Sequence, residues 1–122
     1  MGTFVISKAK SGPMFNLKAT NGQIIASSQV YKSEKTCAAG IASVQKNAPV
    51  AALENQTEKD FAVQKNPKFE VYKDKRGEFR FRLKATNGQI IAVGEGYNKL
   101  DSCLAGIESV RKNAANSKVV KE

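Results

Sequence analysis

One aromatic and three cationic side chains are spaced so that they could contact a nucleic acid. They alternate with apolar residues along two segments that we predict to be paired strands, which puts all four on one side of the sheet; they are Tyr72, Arg80, Arg82 and Lys84. Aromatic rings on a sheet can stack on bases, while arginine and lysine can contact phosphates. The pattern indicates weak, sequence-independent binding of single-stranded nucleic acid or of another polyanion.

A second interpretation assigns the same residues to an ordinary solvated face of a one-sided sheet. The predicted register puts Glu70 opposite Arg82 and Tyr72 opposite Arg80, so part of the charge is paired within the protein. We favour this second interpretation and keep nucleic-acid binding as the alternative.

Residues that could support catalysis are few. The chain has no histidine, which removes the commonest general base and the usual catalytic triads. The carboxylates Glu70, Asp74 and Glu78 lie among lysine and arginine residues near a predicted turn, as solvated surface charges do. The segment 94–96, Gly-Glu-Gly, is too short to indicate a phosphate-binding loop. We therefore expect no catalytic residue and no cofactor, and a protein that is not an enzyme.

These candidate residues lie in a chain that contains one sequence unit twice. The ten residues LKATNGQIIA occupy positions 17–26 and again 83–92, which are 66 positions apart. The match continues without a gap to Ala48 in the first copy and to Ala114 in the second. The chain is therefore a tandem duplication, and one architecture is expected twice.

We expect the two copies to form a single domain with pseudo-two-fold symmetry over residues 1–122. Repeat one is predicted at 3–53, a polar linker at 54–66 and repeat two at 67–122. A repeat of roughly 50 residues buries too little surface to be stable alone, so the copies should share a core.

Each repeat is predicted to begin with two hairpins. In repeat two, the first closes with a three-residue loop at 75–77, where Gly takes the left-handed position. The second closes with a two-residue turn at 87–88, Asn-Gly, which pairs Ala85 with Ile90 on the apolar face. In repeat one, a two-residue turn at 11–12 keeps the apolar residues of the shorter first hairpin on one face, and a slip of two residues would not change that face.

A helix follows the hairpins in each copy. Each helix carries three apolar residues at i, i+4 and i+7, which form one stripe; they are Cys37, Ile41 and Val44 in repeat one and Cys103, Ile107 and Val110 in repeat two. Gly40 and Gly106 lie mid-helix, where glycine costs about 0.5–1 kcal/mol relative to alanine, and indicate a close approach to the sheet. After the helices, segments 50–53 and 118–120 suit a fourth strand.

The two cysteines, Cys37 and Cys103, are too few and too far apart to indicate a disulfide framework or a zinc site. Because each begins an apolar helical stripe, we expect two reduced thiols that are buried against the sheet. We expect no bound metal.

The chain carries a net charge of +9 and has a sequence pI of about 9.7, a basic balance that permits binding to polyanions. Its longest apolar runs fall well short of the ~20 residues of a membrane helix, and its N-terminus lacks the pattern of a signal peptide. We therefore expect a cytoplasmic protein without a membrane association.

Three features resemble the YegP-like family, a widespread bacterial family of unknown function. They are KATNGQIIA at 84–92, the tyrosine that follows at Tyr97, and the helix ending GIESVRKNA at 106–114. The resemblance implies an α+β fold of two β-β-β-α-β units on one antiparallel sheet, with the helices on one face and the C-terminal strands exchanged between units.

The resemblance further implies that one-repeat members reach this arrangement as dimers, whereas a two-repeat chain reaches it within one polypeptide. We accordingly expect a monomer that is an intramolecular pseudo-dimer. The family supplies no activity, cofactor or site residue. The expected function is that of an interaction or structural module with an unknown partner, and weak nucleic-acid binding is the alternative.

Overall fold

Residues 2–115 and 117–122 are described by the computed structural model, in which they form eight strands and two helices. In chain order the elements are β1 (Thr3–Ala9), β2 (Gly12–Lys18), β3 (Ile24–Ser27), α1 (Glu34–Asn47), β4 (Ala52–Asn55), β5 (Lys68–Lys73), β6 (Phe79–Lys84), β7 (Ile90–Val93), α2 (Leu100–Ala114) and β8 (Lys118–Lys121). The strands make one sheet in the order β4-β5-β6-β7-β3-β2-β1-β8. Neither of these helices is long and apolar enough to cross a membrane.

The last strand of each repeat pairs with the first strand of the other. β4, which ends repeat one, lies beside β5, and β8, which ends repeat two, lies beside β1. At the centre of the sheet, β3 and β7 share one residue pair, Ser27 with Val93. The structure thus confirms the α+β fold and the exchange of the C-terminal strands. β4 reaches Asn55, two residues past the predicted end of repeat one.

The direction of the exchanged strands differs from the prediction. The six inner strands are antiparallel, but β4 and β8 each pair in parallel with their neighbour, so the sheet is mixed and not antiparallel throughout. Three strands separate β3 from β4, a distance of about 19 Å at ~4.8 Å per strand. The 14 residues of α1 span about 21 Å, so the helix carries the chain across the strands. The short turn after the helix then sets the direction of β4, and the apolar pattern carries no signal for it.

One core lies between the helices and the sheet. Phe4 and Phe15 meet edge to face at 5.5 Å in one half, and Phe69 and Phe81 do so at 5.9 Å in the other. All four rings are fully buried, and the three apolar residues of each helical stripe are buried in the same cluster. Because α2 contacts β1, β2 and β3 as well as β6, the two repeats share this core. The opposite side of the sheet, which we call the open face, carries no helix in the described part of the chain.

Two turns confirm one prediction and correct another. The loop at 75–77 has Gly77 at φ +84° and gives the predicted register. The next hairpin closes with a three-residue loop at 86–88, not with the predicted two-residue turn, since the amide of Ala85 donates to the carbonyl of Gln89 at 2.9 Å. Glycine at the third position of such a loop adds a bulge, which shifts the register by one residue. Ile90 therefore pairs with Lys84 on the open face and is exposed.

The first hairpin of repeat one turns at Lys10 and Ser11, one residue before the predicted turn, because Ala9 pairs with Gly12. This is the two-residue slip that leaves the face unchanged. Phe4 and its neighbours on the apolar face point into the core as predicted.

The helical glycines accommodate a tyrosine that lies between helix and sheet. A Cβ added to Gly40 would overlap the hydroxyl of Tyr31, and one added to Gly106 would overlap that of Tyr97. Tyr31 in turn stacks on Phe15 with ring centres 6.2 Å apart. The close approach was predicted, but the helix approaches a tyrosine and not the backbone of a strand.

A fragment of residues 66–122 should not fold as a monomer, since its β5 lacks β4 and its β8 lacks β1. We expect it either to dimerise by exchanging β8 or to remain unfolded. Sedimentation velocity and circular dichroism distinguish these outcomes, with the full chain as the control. A stable, folded monomer of the fragment would contradict the shared core.

Replacing Gly40 with alanine should destabilise the protein, although alanine is the better helix former by about 0.5–1 kcal/mol. The added methyl group would overlap Tyr31, and we expect a net loss of about 1–3 kcal/mol in the free energy of unfolding. Urea denaturation measures this loss. The control is Ala39→Gly at an exposed position of the same helix, which should cost about 1 kcal/mol through helix propensity alone. A Gly40→Ala protein more stable than the wild type would refute the tyrosine's role.

Candidate nucleic-acid interface on the open face

The structure brings the four sequence-predicted site residues together on two adjacent strands. Tyr72 lies on β5 opposite Arg80 on β6, and Arg82 lies opposite Glu70, as predicted. Lys84 follows on the same side of β6. All of these residues face away from the helices, because they alternate with the buried apolar residues of the two strands.

Each of the three cations in this group already has a carboxylate partner. Arg82 Nε lies 2.6 Å from Glu70 Oε1, and Lys84 Nζ lies 3.3 Å from Glu70 Oε2. Arg80 is 3.5 Å from Asp74. The guanidinium of Arg82 also lies 4.7 Å from the centre of the Tyr72 ring and covers one of its faces. A bound phosphate would have to displace these internal contacts, and a stacked base would have to use the remaining face of the ring.

Two buried residues that sequence reasoning did not select complete the group. Lys68 Nζ contacts Glu54 at 2.8 Å and Glu70 at 3.4 Å, and the side chains of all three are almost fully buried. The sequence analysis places Glu54 in the linker. It belongs to β4, where the parallel register sets it beside Glu70. The polar pattern of β5 marks Lys68 as an open-face residue, but nothing local to either segment indicates that the two segments meet.

The linker folds against this ion cluster. The backbone amide of Gln64 donates to Glu54 Oε1 at 2.7 Å, and the side chain of Gln56 donates to Glu54 Oε2 at 2.6 Å. Burial of Glu54 opposes its ionisation, but the hydrogen bonds from Lys68, Gln56 and Gln64 outweigh burial and lower its pKa to about 2. The hydrogen bond between Lys68 and Glu54 also raises the pKa of the Lys68 ammonium group. This part of the linker is therefore held by a charged group inside the sheet.

Glu70 is held ionised in the same way. Its burial would raise its pKa, but hydrogen bonding to Arg82 and Lys84 and their charges lower the pKa below the usual range. Such a carboxylate accepts hydrogen bonds well and protons poorly. Its role in this geometry is to fix the orientation of the two cations.

The other half of the open face has different chemistry at the same positions. Val5 and Val120 pair where Glu70 and Glu54 pair in repeat two. Asn16 replaces Arg82 and accepts a hydrogen bond from Ser27 at 2.7 Å. Lys18, which corresponds to Lys84, lies within 4 Å of no carboxylate in the described residues. An unpaired cation on this face thus lies in repeat one, where the sequence analysis did not place the site.

Three exposed apolar residues line the β3-β7 seam of the open face, where the pseudo-two-fold axis passes. Ile24 pairs with Lys18 and Ile90 pairs with Lys84, so both isoleucines point to this side. Val93 lies opposite Ser27, and the antiparallel register places Ile24 and Ile90 three residues beyond that pair in opposite directions, roughly 20 Å apart along the seam. The exposed fractions of the three apolar residues are 39%, 43% and 37%. We call Ile24, Ile90 and Val93 the central patch.

The other residues considered for chemistry have structural roles. Gly94 lies against the ring of Phe81 and Gly96 against the carboxylate of Glu78, so packing explains both glycines without a phosphate. Cys37 and Cys103 are free and fully buried, and burial raises the pKa of Cys103 to about 11. Over residues 2–115 and 117–122, no three carboxylates or thiols are grouped as metal ligands would be.

Glu54→Gln should lower the free energy of unfolding by about 3 kcal/mol at pH 7, the scale of breaking a buried ion pair. The pKa of the Glu54 carboxyl is about 2 in the folded protein, against its ordinary value of 4.5. Its contribution to the free energy of unfolding is therefore complete above pH 4.5 and is lost as the pH falls through about 2. Urea denaturation across this range should therefore show the wild type and the variant converging. The control, Glu58→Gln at an exposed linker position, should change little at any pH. A difference that stays constant down to pH 2 would contradict the assignment.

Comparison with known proteins gives several full-length matches. A family model described as Domain of unknown function (DUF1508) matches residues 9–54 and 74–120, one segment in each repeat. The UPF0339 protein YegP of Yersinia pestis is 42% identical over 100% of this chain and 96% of its own length. The solution NMR structure of the protein of unknown function yegP from E. coli matches with a TM-score of 0.79 and 34% identity, over 99% of this chain and 92% of that one.

A shorter relative matches one repeat. A UPF0339 protein of Treponema denticola is 66% identical over 53 residues, which are 43% of this chain and 91% of that protein. The unit seen twice in this chain therefore also exists nearly alone. The matches to both repeats, the identity along the whole chain and the common fold show that this protein belongs to the YegP-like family, described as Domain of unknown function (DUF1508).

Proposed function

We propose that the protein is a non-enzymatic interaction module of the cytoplasm that acts as a monomer and binds a partner protein on its open face. The central patch carries this proposal. Three aliphatic side chains more than a third exposed are spaced along the middle of a sheet face, on the two strands that flank the pseudo-two-fold axis. Exposed apolar residues bordered by polar ones are typical of protein-binding surfaces.

The charges around the central patch indicate the character of the partner. Lys18 and Lys84 flank the two isoleucines, and Arg82 lies beside Val93. Lys84 and Arg82 share Glu70, whereas Lys18 is unpaired among the described residues. A partner surface with apolar side chains bordered by carboxylates would therefore complement this area.

The state of the ionisable groups supports a role other than catalysis. Glu54 and Glu70 have lowered pKa values and are poor proton acceptors at neutral pH. The Cys103 thiol, with a pKa of about 11, is a poor nucleophile. Two reduced thiols also fit the reducing conditions of the cytoplasm.

The internal pairing of the strands supports the monomer. Each repeat supplies the strand that pairs with the first strand of the other repeat. One two-repeat chain therefore forms within itself the strand pairs that two one-repeat chains would form as a dimer. No second copy is required to bury the core.

Nucleic-acid binding through Tyr72, Arg80, Arg82 and Lys84 is the competing proposal. The net charge of +9 and the aromatic ring on the sheet favour it. Three phosphate contacts would give a salt slope of roughly −2 for single strands. Such binding would have to replace the contacts of the cations with Glu70 and Asp74.

The double variant Ile24→Ser/Ile90→Ser should lose the partner. A partner captured by the wild-type protein from extracts of its own cells, once purified, should bind the variant at least tenfold more weakly, because each buried isoleucine contributes about 1.5 kcal/mol or more. The fold should be unchanged, since both side chains are exposed. Isothermal titration calorimetry with the purified partner measures the loss.

The matched control is Val50→Ser/Val63→Ser, which removes two exposed aliphatic side chains outside the central patch and should leave binding unchanged. Equal binding by all three proteins would overturn the proposed surface. Tight binding of a thymidine oligonucleotide at physiological salt, abolished by Arg80→Gln/Arg82→Gln, would favour the competing proposal instead.

A further inference from the structure

The two outer edges of the sheet differ in whether another segment of the chain covers them. The linker lies along β4, where the amide of Gln64 bonds to Glu54, and Phe61 lines a groove with Leu53 and Leu104. At the other edge, all four residues of β8 are exposed. No described residue pairs with the outer side of this strand. The sheet thus has one covered edge and one open edge.

An open strand edge presents a row of N–H and C=O groups that can pair with another strand. β8 has the sequence Lys-Val-Val-Lys over residues 118–121. Its register with β1 puts Lys118 and Val120 on the open face, beside Thr3 and Val5. Val119 and Lys121 therefore face the helix side, so each side of the edge offers one valine and one lysine.

A second copy of the protein is a poor occupant of this edge. Two copies that join these edges in antiparallel fashion have their open faces on the same side, so a residue can lie opposite only a residue of its own face. No such register places all four residues of β8 opposite one another, and none brings a carboxylate opposite both Lys118 and Lys121. The edge is therefore poorly matched to its own sequence, while its backbone groups stay available.

We propose that the outer edge of β8 binds an extended segment of a partner protein with the pattern acidic–apolar–apolar–acidic, which adds a ninth strand to the sheet. The two carboxylates lie opposite Lys118 and Lys121, and the two apolar residues lie opposite Val119 and Val120. The pattern reads the same in both directions, so it suits either strand orientation. A nucleic acid cannot form this ladder, because its backbone lacks alternating N–H and C=O groups.

Lys121 is available for this contact at little cost. Its ammonium group lies 2.6 Å from the carboxylate of Glu34, but the two side chains are 70% and 54% exposed. Exposed ion pairs of this kind contribute little to stability, so exchange of one carboxylate for another is nearly neutral. The edge is also separate from the central patch, and this inference goes beyond the binding proposed for the open face.

The first test uses the synthetic peptide acetyl-Ser-Glu-Val-Val-Glu-Ser-amide, titrated into the ¹⁵N-labelled full chain. We expect saturable shifts of the amides of residues 118–121. The Lys118→Glu/Lys121→Glu variant should bind this acidic peptide at least tenfold more weakly than the wild type does. It should instead bind the peptide in which lysine replaces both glutamates. The matched control, Lys46→Glu/Lys112→Glu on the exposed faces of the helices, makes the same change in net charge and should bind the acidic peptide as the wild type does.

The second test examines the oligomeric state. Sedimentation velocity of the full chain alone should show a monomer, because no register of two β8 edges pairs both lysines with carboxylates. Absence of peptide binding would overturn the proposal, and so would a dimer whose formation shifts the amides of residues 118–121, since a second copy would then be the occupant. Shifts of the same amides by a thymidine oligonucleotide but not by the peptide would also overturn it. Loss of open-face binding in Ile24→Ser/Ile90→Ser affects neither test.

Discussion

The exchange of the fourth strands is the constraint on which the rest of the structure depends. Each repeat alone is a three-stranded sheet with one helix, too little to bury its two core phenylalanines and its helical stripe. Because each helix lies across the strands, it covers both repeats and delivers the chain to the far edge of its neighbour. The seam itself adds little, since β3 and β7 share one residue pair. The two halves are held together by the exchanged strands β4 and β8 and by the core that they share.

This architecture explains why the two halves of the open face can differ. The core positions require apolar residues in both copies, but the open face does not. A buried ion cluster of Glu54, Lys68 and Glu70 occupies one half, and Val5 and Val120 occupy the same places in the other. Replacing a buried ion pair by apolar residues is often nearly neutral for stability, and here the apolar pair is a buried Val5 beside a half-exposed Val120, so either solution is compatible with the fold. The ionic solution has one further consequence, because Glu54 also binds the linker through Gln64.

Much of the fold was predictable because its signals are local. Alternating residues and a glycine at position 77 predict the register of the first hairpin in repeat two, and with it the pairing of Glu70 with Arg82. The prediction of a two-residue turn at Asn87-Gly88 is wrong, because that dipeptide suits both a two-residue turn and a three-residue loop with a bulge. The three-residue loop moves Ile90 to the open face. The direction of β4 and the burial of Glu54 depend on contacts between distant segments. No local pattern reports such contacts.

The same distinction applies to the candidate sites. The sequence pattern correctly gathers Tyr72, Arg80, Arg82 and Lys84 on one face, but whether a cation is available depends on which carboxylates lie nearby. Glu70 occupies two of these cations, while Lys18 in the other repeat has lost its equivalent partner to a valine. A charge count over the strands therefore selects the half with more cations, whereas the geometry leaves Lys18, in the other half, without a carboxylate partner among the described residues. Binding capacity on such a sheet follows from the missing carboxylate and not from the number of basic residues.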